Sequence, residues 1–179
     1  MKKINLLIAL LFIIGNYSCE RDDICPESTP TTPRLIIDFF DITDQDTQKN
    51  VFDLRVQGIG NENTLPGFNV ASSANTITLP LRTDANETQY SLHIDYAIND
   101  NGTPDDTSDD FAEGNEDIIS ITYTTEEVYV SRACGYKTIF KNVSITIQTD
   151  SDNWILSRES INDNQSVEDE TTTHFNIFH

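Results

Sequence analysis

Tyr90, Leu92, Ile94, Tyr96 and Ile98 stand at every second position, with Ser91, His93, Asp95 and Ala97 between them. No other feature constrains the fold of this chain as tightly. Successive side chains of a strand point to opposite faces, so the run turns its aliphatic and aromatic residues to a core and leaves the rest outside. The same alternation sets Phe52, Leu54 and Val56 against Asp53, Arg55 and Gln57, and Ile77, Leu79 and Leu81 against Thr76, Thr78 and Pro80. Pro80 lacks a ladder donor and marks a strand end or an edge. Residues 35–41, 118–123, 128–131, 143–148, 154–158 and 174–178 are the remaining strand candidates. No run of ten or more residues carries helical spacing.

About eight or nine short strands separated by Gly, Asn, Asp and Pro clusters describe an all-β domain. An antiparallel β-sandwich, immunoglobulin-like in general architecture, is expected; a lipocalin-like barrel is the alternative. The sandwich is preferred because the strands are unequal and broken irregularly by Asp-rich connections. No fixed-period repeat points to a solenoid or propeller. Residues 160–173 are polar and acidic, with Ile161 and Val167 as their aliphatic members, and read as a mobile loop before the last strand.

The chain opens on Met1-Lys2-Lys3, an apolar run from Ile4 to Ile14 interrupted by Asn5, and Gly15-Asn16-Tyr17-Ser18-Cys19. The apolar run is shorter than the roughly 20 residues a membrane span needs, and its basic start marks a cleavable export signal. Gly15, Ser18 and Cys19 resemble a bacterial lipobox, which implies cleavage before Cys19 and acylation of its thiol. Two or more acyl chains anchor a protein stably where one holds it marginally. The expected organisation is a signal peptide over residues 1–18, a lipidated tether and linker over 19–33, and a single domain over 34–179. Glu20, Asp22 and Asp23 after the lipid site, then Pro26, Pro30 and Pro33 among threonines, make an extended, partly stiff linker.

Thirty acidic residues against eleven basic ones give a net charge of −19, and loss of Lys2 and Lys3 with the leader makes the mature chain more negative still. Such a surface repels phosphate backbones, so nucleic acid is not an expected partner. Nine Phe, six Tyr and one Trp nevertheless make the chain too apolar to remain disordered. In an oxidising envelope Cys25 and Cys134 should pair, leaving the third thiol, Cys19, for lipid. The alternative is a Cys134 nucleophile activated by His93 or His174, which needs neighbours that spacing does not reveal.

Asp100, Asn101, Asp105, Asp106, Asp109 and Asp110 fall in one turn-rich stretch around Gly102. Calcium takes six to eight oxygen ligands, so these residues are weak calcium candidates. The stretch is not an EF-hand: with Gly102 at the sixth position, Ala97 and Ser108 stand where carboxylates are needed. Otherwise it is a solvated hairpin loop. His93, His174 and His179 are scattered and indicate no zinc site, and His93, on the polar face of its run, reads as a surface histidine. No nucleophile elbow, P-loop or dinucleotide fingerprint is present, and the expectation is a protein that is not an enzyme and needs no cofactor. Exposed rings at Tyr123, Tyr129 or Trp154 would favour a sugar ligand, since sugars stack on aromatic faces.

The lipobox, Asp22-Asp23-Ile24-Cys25-Pro26, Thr32-Pro33-Arg34-Leu35 and Ser131-Arg132-Ala133-Cys134-Gly135 together resemble small uncharacterised envelope lipoproteins of Bacteroidota, a domain of unknown function. That resemblance implies an outer-membrane location and strengthens the Cys25 to Cys134 pairing, but brings no activity with it. The expected function is therefore a membrane-anchored, non-enzymatic interaction module for an envelope protein or surface ligand. Its rival is a calcium-dependent glycan-binding or adhesion module.

Overall fold

A computed structural model of the chain describes residues 24–68, 72–161 and 163–179. Cys19 and the rest of the proposed signal lie outside the described residues. Among those described there is no α-helix, and nine strands follow one another: β1 (Leu35–Phe40), β2 (Val51–Gly58), β3 (Ser72–Ala74), β4 (Thr76–Leu79), β5 (Glu87–Asn99), β6 (Phe111–Ser131), β7 (Gly135–Ile147), β8 (Ser157–Ser160) and β9 (Phe175–Phe178). They form two sheets, ordered β4-β1-β9-β8 and β3-β2-β5-β6-β7. The molecule is a β-sandwich and not a closed barrel. One pair departs from the antiparallel rule, since β1 and β9 run parallel with Ile37 opposite Phe175 and Phe40 opposite Phe178.

The core lies between the sheets. Leu35, Ile37, Phe39, Ile77, Leu79 and Ile177 from one sheet meet Leu54, Val56, Leu92, Ile119, Ile121 and Ile145 from the other in a single buried cluster. Each such side chain contributes about 1.5–3 kcal/mol by leaving water. On the outer face of β1, Asp38 accepts the hydroxyls of Thr76 at 2.6 Å and Thr173 at 2.7 Å. These bonds tie β1 to β4 and to the approach to β9.

Backbone bulges explain where alternation misleads. In β2, Asp53 takes φ 44° and the register against β3 shifts between Val51 and Leu54. Val51 is therefore buried with Leu54 and Val56, while Phe52, expected inside, is exposed. In β5, Asp95 takes φ 50° and the register against β6 shifts between Ile94 and Ala97. Ile98 beyond that shift is exposed. Gly114 opposes this bulge at φ +108°, and a Cβ there would stand 2.2 Å from the carbonyl oxygen of Ile94. Glycine is required at that point.

Residues 118–123 and 128–131 are not two strands but parts of β6. Asn142, at φ 52°, makes the bulge on β7 that lets the pairing continue past the register shift between Thr122 and Thr124. Nor do residues 154–158 form one strand. Trp154 and Ile155 are buried ahead of β8, where the indole N–H donates to the carbonyl of Leu92 at 3.1 Å. The tripeptide strand β3 carries only Ser and Ala, so no apolar alternation announced it.

Residues 163–173, read with their neighbours as a mobile loop, are instead tied to the sandwich. Val167 is fully buried and exchanges backbone bonds with Phe140 at 3.0 and 2.8 Å, while Val143 donates to Gln165 at 2.7 Å. Further along β7, the Thr138 N–H donates to the hydroxyl of Thr32 at 3.0 Å. The acidic segment and the linker thus cover the open edge of β7, which would otherwise be a template for unwanted pairing.

Candidate functional site

β6 organises everything that follows. Its first half pairs with β5 and its second with β7. An unbent strand of its 21 residues would cover about 65 Å, a length that the bulges shorten. The acidic stretch lies immediately before Phe111, at one end of β6, and the turn containing Cys134 lies immediately after Ser131, at the other. The acidic stretch and the Cys134 turn thus occupy opposite poles.

At the turn pole Cys25 is disulfide-bonded to Cys134, with the two Cα atoms 4.9 Å apart, inside the usual range for such a bond. Cys134 is therefore no free nucleophile for His93 or His174. The bridge seats the linker against the tip of the β6–β7 hairpin. A cleft of about 370 Å³ elsewhere runs beside Tyr90 and Arg82, but here the larger one, about 540 Å³, is lined by Ile24, Pro26, Tyr129, Val130 and Arg132 together with the turn. Tyr129 and Tyr136 face each other across the hairpin, with ring centroids 5.4 Å apart, and are 58% and 65% exposed. Of the three rings singled out by sequence, only Tyr129 lies at the surface; Tyr123 and Trp154 are buried. Tyr136 was not foreseen, although its position across the Cys134 turn from Tyr129 was the available signal.

At the other pole, Asp100 accepts the Gly102 N–H at 3.0 Å and Asp106 the Ser108 N–H at 3.0 Å. Asp109 accepts Thr103 Oγ1 at 2.8 Å and Asn101 Nδ2 at 3.1 Å. The bonds to Asp106 and Asp109 favour their ionised forms. The Ser108 hydroxyl holds Asp106 below the ordinary carboxylate range, and the Thr103 hydroxyl followed by Asn101 does the same for Asp109. Asp100, Asn101, Asp105, Asp106, Asp109 and Asp110 are brought together as a loop, but among the described residues no three acidic, histidine or cysteine side chains converge where they could hold a metal. Ile98 and Phe111 stand half-exposed at the base of the loop.

The histidines have structural surroundings. His93 is buried, not on the surface: Tyr96 lies edge-on at 5.0 Å, and Arg55 in turn sits 4.8 Å over the Tyr96 ring. On the outer face of β5, His93 is thus covered by its own neighbours, while Gln89 is exposed. Nearby, Ser91 donates to Glu116. His174 Nδ1 is taken by the Ile36 N–H, and His179 packs edge-on to Trp154 and Phe39.

Asp117 is a buried carboxylate that motif reading missed. It accepts the N–H groups of Trp154 at 3.3 Å and Ile155 at 2.8 Å. Burial pushes its pKa up against the lowering effect of those bonds. It stands in phase with the buried Ile119, Ile121 and Tyr123, so its burial, though not its partners, was legible. Its oxygens satisfy the chain entering β8, which makes its role structural.

No curated protein and no solved structure matches the chain significantly. A family model does match residues 53–179, most of the sandwich from β2 onward. The chain belongs to that family of unknown function, DUF6452.

Proposed function

We propose that this protein is an exported lipoprotein, held at the outer membrane by acyl chains on Cys19, whose sandwich is a non-enzymatic interaction module for an envelope protein or surface ligand. One observation carries this reading: the turn fastened to the linker and the acidic loop lie at opposite ends of β6. Cys19 precedes Cys25 by only six positions, so a lipid on Cys19 holds the turn pole near the bilayer and directs the acidic pole away from it. Asp100, Asp105, Asp106, Asp109 and Asp110, with no basic residue among them, make a cationic surface the natural counterpart there. Ile98 and Phe111 supply apolar area beside the charge.

The test is capture of partners from gently solubilised envelope, comparing the native protein with Asp105→Asn/Asp106→Asn/Asp110→Asn. A partner held by the native protein, released by added salt and lost with the neutralised loop is the expected result. An unchanged set of captured proteins would show that the acidic pole is not the binding surface.

A further inference from the structure

We propose that the β6–β7 hairpin tip, with Tyr129 and Tyr136 and the neighbouring Ile24, docks on the surface of the bilayer that holds the protein. This rests on the reading of Cys19 as the lipid site, and it adds a contact that lipidation alone does not require. Six peptide units span at most about 20–22 Å, so Cys19 stays within that distance of Cys25. The disulfide places Cys25 on the hairpin tip itself, and the tip is consequently confined to the neighbourhood of the lipid.

What the tip exposes suits that location. Tyr129 and Tyr136 form a paired, outward-facing aromatic surface, and Ile24 beside the cleft is 81% exposed. Tyrosine carries an apolar ring and a polar hydroxyl, which favours the headgroup layer. Charge does not set the location: Arg132 and Lys137 lie near the tip, but Glu126 and Glu127 stand on the same hairpin, Lys137 donates to the Glu168 carbonyl at 2.9 Å and Lys141 pairs with Glu168. Glu20, Asp22, Asp23 and Glu27 lie on the tether side, so the docking is led by the rings and Ile24, not by attraction to anionic lipid.

The experiment uses hydroxyl-radical footprinting of two preparations on phosphatidylcholine vesicles. One is the native protein with its own lipid. The other is the mature chain with a hexahistidine tag in place of Cys19, held by nickel-chelating lipid, which tests docking whether or not Cys19 is acylated in the cell. In both, labelling of Tyr129 and Tyr136 should fall at least threefold on vesicles relative to the same tagged chain free in solution, while Ile98 and Phe111 keep theirs. Tyr129→Ser/Tyr136→Ser should fold normally, and its tagged form should be released from vesicles by less imidazole. Equal labelling with and without vesicles, or protection already present in solution and growing with protein concentration, would overturn the proposal; the latter would assign the tip to a second copy of the chain. If the tagged chain docks but the native protein has no acyl group, docking stands and the reading of Cys19 fails.

Discussion

His174 Nδ1 accepts the backbone N–H of Ile36 at 3.0 Å, while the His174 N–H donates to the Ile36 carbonyl at 2.9 Å. The side chain thereby extends the parallel seam between β1 and β9 by one further bond. A proton on Nδ1 would remove the acceptor. Burial, the largest influence, pushes the imidazole below its ordinary pKa of 6.5, against the raising effect of the Asp169 carbonyl. Burial does the same to His179.

A histidine whose folded pKa is depressed contributes stability that is present above 6.5 and lost as pH falls from there through the folded value, because the unfolded chain takes up the proton first. The melting temperature should therefore drop as pH falls from 7 toward 5. His174→Asn offers a non-titrating acceptor to Ile36 and should flatten that slope. Thermal melts across this range check it; an unchanged slope in the variant would assign the loss elsewhere.

Gly114 gives a sharper test of the β5–β6 bulge. Gly114→Ala combines a positive φ with a Cβ driven onto the Ile94 and Asp95 carbonyls and should cost about 2 kcal/mol or more. Gly102→Ala also has a positive φ, but open space around it, and should cost only about 1 kcal/mol. Denaturant unfolding of the two variants distinguishes them, and equal losses would contradict the bulge geometry.

Removing the bridge in Cys25→Ser/Cys134→Ser opens a closure of 109 residues. The chain-entropy model gives such a loop roughly 4–5 kcal/mol, and measured bridges often deliver less. A loss of about 2–5 kcal/mol in chemical denaturation is expected, reproduced by reductant in the native protein. A loss under about 0.5 kcal/mol would mean that the linker is held equally well by contacts such as Thr32 to Thr138.

Strand content was legible because period two is a local property, and β1 keeps it faithfully in Leu35, Ile37 and Phe39. Phe52, Tyr96 and Ile98 misled because bulges at Asp53 and Asp95 change which face a residue meets, and nothing in the apolar pattern marks an inserted residue. His93 read as exposed because sequence does not show that Tyr96, three positions on, folds back over it. The edge pairing of Val167 with Phe140 joins residues far apart in the chain, and one valine in an acidic stretch is a weak signal for it. The acidic loop itself was plain, as were the cysteines; their placement at opposite ends of β6 depends on two strand candidates being one.

The most direct test is the intact mass of the protein extracted from its own membrane with detergent, taken before and after thiol alkylation with and without reduction. The account predicts a chain that begins at Cys19, carries two or three acyl groups there, and gains two alkyl groups only after reduction. A chain that retains residues 1–18, a Cys19 without lipid, or Cys25 and Cys134 alkylated without reductant would contradict it.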